Sequence, residues 1–159
     1  MIDSSPSGPG VRYPPPSLFV LGIIAGWLLD RAFPLQLAGP AARSAGALVG
    51  CVLVVCGSGL AAWAVATFRG AGTTIIPNRP ASTLVTHGPF RLSRNPMYLG
   101  MTLVYLGVML LLNSIWILLF LPIVLVILQL TVIRREERYI GATFGIAYDE
   151  YRRRVRRWL

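Results

Sequence analysis

The sequence predicts an all-α fold: a polytopic membrane helical bundle of four transmembrane helices with a C-terminal cytoplasmic or interfacial helix. Three observations predict it. Of the 159 residues, 55% are hydrophobic and only 13% are charged, whereas a soluble domain carries about a quarter charged residues. Long uncharged stretches alternate with arginine-rich ones. The 15 basic residues are all arginine and outnumber six acidic ones, giving a net charge of +9. Beside such apolar stretches this excess fits the aqueous ends of a membrane protein better than a nucleic-acid partner. The composition also excludes a disordered chain, a disulfide scaffold and an ordinary soluble enzyme.

Met1 to Pro16 reads as a flexible Pro/Gly-rich start. It lacks a basic n-region and an Ala-x-Ala site, so it is not a cleavable signal peptide. Residues 17–159 form one membrane domain. Leu18–Leu29 is the first span, about 18 Å as a helix, short of a crossing unless it tilts or borrows Tyr13 to Ser17. Residues 44–68, between Arg43 and Arg69, carry no charge and reach roughly 37 Å, the clearest span. Gly46 and Gly50 form a small-xxx-small pair there, followed by Gly57 and Gly59. Cys51 and Cys56 have no metal-ligand spacing and read as packing residues.

From Pro96 to Ile133 no side chain other than tyrosine is ionisable. One helix of that length would measure roughly 55 Å, too long for a single crossing. The polar pair Asn113-Ser114 breaks it into Met97–Leu112 and Ile115–Ile133, with Pro122 inside the second and Gln129 seeking a partner. Arg69, Arg79, Arg91 and Arg94 lie in the second-to-third link. Arg134, Arg135, Arg138, Arg152, Arg153, Arg154, Arg156 and Arg157 lie in the tail. The positive-inside rule therefore puts both termini, that link and the tail in the cytoplasm, in a bacterial-type inner membrane. A three-span arrangement keeps that half unchanged.

The membrane interior has no ionisable group of the kind that ion and proton carriers place at depth, so the chemistry belongs to the cytoplasmic face. Two segments flank the helical hairpin there. In the first, Thr86-His87-Gly88-Pro89-Phe90-Arg91 precedes Arg94-Asn95-Pro96-Met97-Tyr98-Leu99-Gly100. Pro96 suits a first helical turn with Asn95 as its cap, and the backbone N–H groups of that turn are open to an anionic ligand group. A basic loop meeting lipid phosphates reads equally well.

In the second segment Glu136 and Glu137 follow Arg134-Arg135. After a Gly141–Gly145 break, a helix over Ile146–Trp158 carries Tyr148, Tyr151, Val155 and Trp158 at helical spacing. That stripe can lie on the bilayer or on the bundle. Asp149–Arg153 and Glu150–Arg154 are i,i+4 pairs in the favourable order.

These motifs, taken in order and ending in Phe144-Gly145-x-x-Tyr148-x-x-Tyr151-x-x-Arg154-Val155, resemble the isoprenylcysteine carboxyl methyltransferases and the related phospholipid methyltransferases of membranes. The likeness covers about residues 67–157. It implies that 17–159 is a single membrane methyltransferase domain using S-adenosylmethionine, the cofactor entering from the cytoplasm and a lipophilic acceptor from the bilayer. By motif position the resemblance assigns the cofactor to His87, Gly88, Phe90, Asn95, Pro96, Met97, Tyr98, Leu99, Glu136 and Glu137. It puts Glu150 and Arg154 at the reacting centre, and it implies no metal.

Where the family usually has histidine before the proline, this chain has Asn95, which keeps a donor and an acceptor but carries no proton charge. His87 lies earlier in the loop and reads either as a neighbour of the cofactor or as a structural residue. The sulfonium and ammonium of the cofactor suit Glu136 and Glu137. The implied acceptor is a small lipophilic molecule or lipid, bearing a carboxylate, an amine or a thiol. The reading from another class is a non-catalytic membrane protein whose arginine-rich tail binds anionic lipid or a partner protein.

Overall fold

The structure, a computed structural model, describes residues 13–72 and 83–159. Most of the Pro/Gly-rich start and Arg79 lie outside the described residues. The elements are α1 (Pro16–Ala32), α2 (Pro40–Gly70), a 3-10 turn (Gly88–Arg91), α3 (Pro96–Leu112), α4 (Ile115–Leu128), a π turn (Gln129–Ile133), α5 (Arg134–Phe144) and α6 (Ile146–Arg154). Among the described residues β pairing is limited to one isolated bridge, Gln36 to Ser114. Pro16, Pro40 and Pro96 each open a helix, at the position where a missing N–H breaks no helical hydrogen bond.

Glycines set how closely the helices meet. Helix α2 lies along α3 through Gly50 and Gly57 on one side and Gly100 and Gly107 on the other. A Cβ on Gly57 would sit 2.5 Å from the Gly100 carbonyl oxygen, and one on Gly107 2.6 Å from that of Gly50. Backbones this close need side chains that are absent. The seam therefore repeats every seven residues, and the predicted Gly46–Gly50 pair is not it: Gly46 and Gly59 face open space. Cys51 and Cys56 are exposed as well, because the glycines and the buried Ala64 hold the inner face of α2. On the other flank α1 meets α4, with Gly22 against Val124 and Tyr105 and Gly26 against Ile117. Phe19, Tyr105, Met109, Ile117, Leu121, Val124 and Leu128 fill the core between them.

The exterior is apolar. Leu48, Val52 and Val55 of α2, Leu21 and Leu28 of α1 and Leu119, Ile123 and Val126 of α4 are all exposed. A surface of this kind is matched to hydrocarbon. Two helical stretches are long and apolar enough to cross a membrane: α2, and the continuous 30 residues Ile115–Phe144. Helices α1 and α3 have 17 residues each, about 25 Å.

At one end of the bundle the α1–α2 link meets the α3–α4 turn. Asn113 takes the left-handed conformation, φ 54°, and its side-chain amide both donates to the Ala38 carbonyl and accepts from the Ala38 N–H, each at 2.9 Å. The Asn113-Ser114 break falls where the sequence predicts it. Helix α1 is longer than the predicted Leu18–Leu29, because the charges that should have ended it are held at its tip. The Asp30 carboxylate accepts from Ser114 Oγ and the Leu35 N–H, and the Arg31 guanidinium lies 5.0 Å over the Trp27 ring. At the other end Tyr13 hydrogen-bonds Thr131 within the π turn, and there the 3-10 turn, α5 and α6 gather.

Two further corrections fall at that end. The predicted helix Ile115–Ile133 is α-helical only to Leu128 and passes through the π turn into α5. The predicted helix Ile146–Trp158 stops at Arg154, and Val155 is extended. The tail turns there because its carbonyls are captured. The Arg156 carbonyl accepts from the Arg94 N–H at 3.0 Å, and that of Arg157 accepts from Ser93 Oγ and Asn95 Nδ2 at 3.0 and 3.1 Å.

Candidate active site

The arginine-rich end is assembled by α3, α5, the loop before α3 and the tail. The apolar run of the long helix ends at Ile133, and two helical residues later Glu136 and Glu137 emerge side by side. They have different surroundings. Glu136 accepts a 2.8 Å hydrogen bond from the Tyr98 hydroxyl. Burial pushes the Glu136 carboxyl up to about 7, the Tyr98 hydrogen bond opposing it and the neighbouring Glu137 charge adding to it. Glu137 is clasped by two arginines. Arg157 donates from Nε at 2.9 Å and from Nη2 at 2.6 Å, and Arg94 lies at 3.1 Å. This fork geometry is the strong, directional form of an ion pair. The hydrogen bond to Glu137 is also what raises the Arg157 guanidinium further.

Arg94 is the most buried cation of the cluster, its side chain 10% exposed. Its Nη1 also reaches the Tyr148 hydroxyl at 3.2 Å. Its Nε is buried and finds no acceptor among the described residues. An orphaned donor on a buried guanidinium costs free energy unless something accepts from it.

The predicted residues fall into three groups. Asn95, Pro96, Met97, Tyr98 and Leu99 form the start of α3, joined to Glu136 through the Tyr98 hydroxyl. Asn95 stands at the cap position but makes no side-chain cap; its Nδ2 donates instead to the Arg157 carbonyl. The first turn of α3 is left without a side-chain cap. The second group is the Gly-Pro turn. Gly88 takes φ +61°, and Pro89 and Phe90 are buried. The Phe90 ring stands edge-on to Phe68 at 4.7 Å, and the Phe90 carbonyl accepts from the Tyr151 hydroxyl at 2.7 Å. This turn thus docks α6 onto α2, with His87 exposed at its edge.

Glu150 and Arg154 form the third group, on the exposed face of α6. The opposite face buries Tyr148 and Tyr151 against the bundle. The predicted Asp149–Arg153 pairing is replaced by Asp149–Arg152 at 3.1 Å.

The loop, helix start and acidic pair that carry the resemblance are therefore packed at one end of one bundle. A family model, phospholipid methyltransferase, matches residues 45–147. The chain belongs to the phospholipid methyltransferase family. The match makes this a membrane methyltransferase, and it takes in α3, α4, α5 and the whole polar cluster apart from the tail and α6 residues. Glu150, Arg154 and Arg157 lie beyond it. No curated protein and no solved structure matches the chain.

Sequence reading missed four members of this cluster as site residues: Ser93, Arg94, Tyr148 and Arg157. Arg157 looked like one more solvated arginine in a basic tail. The one signal was scarcity: with six acidic residues in the chain, an adjacent pair at the end of an apolar helix has to be neutralised by cations brought from elsewhere.

Proposed function

We propose that this membrane methyltransferase binds S-adenosylmethionine at its arginine-rich end and passes the methyl group to a lipophilic or lipid acceptor that arrives from the cytoplasmic leaflet. Four antiparallel helices crossing the bilayer, with the arginine-rich end and both termini in the cytoplasm, accommodate this. The asymmetry of arginine between the two ends supports that orientation.

The observation that carries the reading is the buried Arg94 Nε, which has no acceptor among the described residues, in the same cluster as a Glu136 carboxyl that accepts from the neutral Tyr98 hydroxyl. The residues present fit the cofactor. Arg94 and the uncapped first turn of α3 suit its carboxylate. Glu136 suits its cationic groups, while Glu137, clasped by Arg94 and Arg157, fixes the place of both. When bound, S-adenosylmethionine supplies an electrophilic methyl on sulfur. Positioning then contributes much of the rate. Arg154 orients an anionic acceptor, or Glu150 takes the proton from an amine acceptor.

Isothermal titration of S-adenosylmethionine into the detergent-solubilised protein tests this. Wild type binds. Arg94→Gln and Glu136→Gln weaken binding at least tenfold, the scale of one lost charge-assisted hydrogen bond of about 1.5 kcal/mol. Glu150→Gln and Arg154→Ala leave binding within about twofold but lower radiolabelled methyl transfer into membrane extracts far more. Equal affinity in the first two variants removes the cluster from cofactor binding. Unchanged transfer in the last two removes α6 from the chemistry.

A further inference from the structure

The last residues of the chain close over the polar cluster. Val155 is extended and packs into the apolar cluster of Phe90, Tyr148 and Tyr151. Beyond it residues 156–159 have no regular structure, and none of the four is fully buried. They lie across the start of α3 and onto α5. The Arg156 carbonyl accepts from the Arg94 N–H, and the Arg157 carbonyl from Ser93 Oγ and Asn95 Nδ2. The Arg157 side chain, 39% exposed, is the outer layer over Glu137, which is 16% exposed. Trp158 settles against the core of the bundle.

A site enclosed in this way needs an entrance. Arg94 Nε is closed off from solvent, so a carboxylate reaches it only after a neighbour moves. Helices α3 and α5 are poor candidates. The first is locked to α2 along the glycine seam, and the second runs on from α4 through the π turn. Four terminal residues held by hydrogen bonds, one ion pair and one ring can lift without disturbing either helix. Each polar group released meets water, so lifting costs far less than the gross strength of the bonds. Segments with exposed backbone and few apolar contacts open at the low end of a protein's stability range.

We infer that residues 156–159 are a strap that gates the cofactor site, hinged at Val155 and latched by Arg157 on Glu137. The strap lifts to admit S-adenosylmethionine and settles again over the bound molecule. Arg94 joins the two parts: its backbone N–H holds the strap, while its guanidinium carries the unmet donor of the site. Because the same latch closes the empty and the loaded protein, it governs entry and exit alike and leaves the binding equilibrium nearly untouched. Arg157 is thus a positioning residue for the strap and makes no contact with the cofactor.

The inference rests on the proposed function for the molecule that passes the strap, but its first measurement needs no cofactor. The Arg94 N–H bonds to the strap, whereas the Leu99 N–H bonds to the Asn95 carbonyl at the start of α3. Amide hydrogen exchange at Arg94 relative to Leu99, followed by NMR in detergent, therefore reads the opening of the strap by itself. Arg157→Gln speeds exchange at Arg94 about fivefold, the scale of one half-exposed ion pair, and leaves Leu99 unchanged. Surface plasmon resonance then follows S-adenosylmethionine onto and off the protein. In the variant both rates rise about fivefold while affinity stays within about twofold; a residue that merely kept the site in shape would lower affinity instead. Exchange at Arg94 that ignores the substitution, exchange at Arg94 and Leu99 rising together, unchanged binding rates or a larger loss of affinity each overturn the strap. Absence of cofactor binding with the Arg94 response intact overturns only the proposed function.

Discussion

The two ends of the bundle solve one problem, tying helices together where the chain turns, by different means. At the Asn113-Ser114 end the partners are neutral and mostly backbone. The Asn113 amide pairs with both groups of Ala38, and the Ile115 N–H donates to the Leu35 carbonyl and that of Leu37 to the Asn113 carbonyl. The one carboxylate drawn in among the described residues is Asp30, used as an acceptor, while Arg31 lies over the Trp27 ring. At the other end similar neutral bonds hold the tail's carbonyls, but two arginines and two glutamates are packed in beside them, with the Glu136 carboxyl raised to about 7 and the Arg94 Nε–H unsatisfied among the described residues. Neutral stitching suffices to close a turn. Half-buried charge with unmet bonding capacity is a poor way to gain stability, and its presence marks the end where a charged ligand is handled.

The largest break in this comparison is expected from Glu137→Ala. It leaves Arg94 buried and Arg157 unpaired, so the protein should lose about 3 kcal/mol of stability, the scale for removing one partner of a buried ion pair. Cofactor binding should fall with it. Urea unfolding in mild detergent, together with titration of S-adenosylmethionine, checks both. At the neutral end Asn113→Ala removes two hydrogen bonds and places alanine at positive φ, which costs about 2 kcal/mol, while methyl transfer per folded molecule is unchanged. If the two variants lose activity equally, the division between a structural and a functional end fails.

How much of this was legible in the sequence follows the same division. Helix breaks written in local chemistry were readable: Asn113-Ser114 ends one apolar run, Pro96 opens α3, and the predicted Gly141–Gly145 break narrows to Gly145 with φ +50°, since α5 runs on through Gly141 to Phe144. Long-range capture was not. Nothing in Val155-Arg156-Arg157-Trp158 announces an extended strap, since the donors that capture its carbonyls sit on Ser93, Arg94 and Asn95, over sixty positions earlier. The glycine seam was half legible. The small residues were visible, but which of Gly46, Gly50, Gly57 and Gly59 face α3 depends on the crossing, which only the partner helix fixes. In the site, the acidic pair and the α3 start were recognisable by motif, while the cations that neutralise Glu137 were lost among many arginines.

A smaller effect distinguishes Glu136 from Glu137. Because its folded pKa of about 7 lies above the ordinary carboxylate value, the native state holds a proton that the unfolded chain has released. Stability should therefore fall as pH rises from about 4.5 to about 7. Cofactor affinity should run the other way, since a cationic ligand prefers the ionised form: it rises up to about tenfold per unit below pH 7 and levels off above it. Titrations at pH 6, 7 and 8 show this directly, and Glu136→Gln should flatten the profile. A wild-type profile flat over the same range would mean that Glu136 does not face the cation.

The smallest expected effect decides whether charge or burial is what distinguishes the arginine-rich end. Asp149 and Arg152 form an ion pair there, 3.1 Å apart, with both side chains more than half exposed at 54% and 58%. It has the same chemistry as Glu137–Arg157 and sits one helix away. In water, however, its Coulomb gain is offset by solvation and by the entropy of two free side chains, so Arg152→Ala should change stability by no more than about 0.5 kcal/mol. Thermal unfolding in low and in high salt measures it, and the difference should shrink further as salt screens the pair. A loss approaching that of Glu137→Ala would mean that the net charge pattern of this end, rather than the enclosure of Arg94 and Glu137, holds it together. The orphaned Arg94 donor would then no longer single out a ligand site.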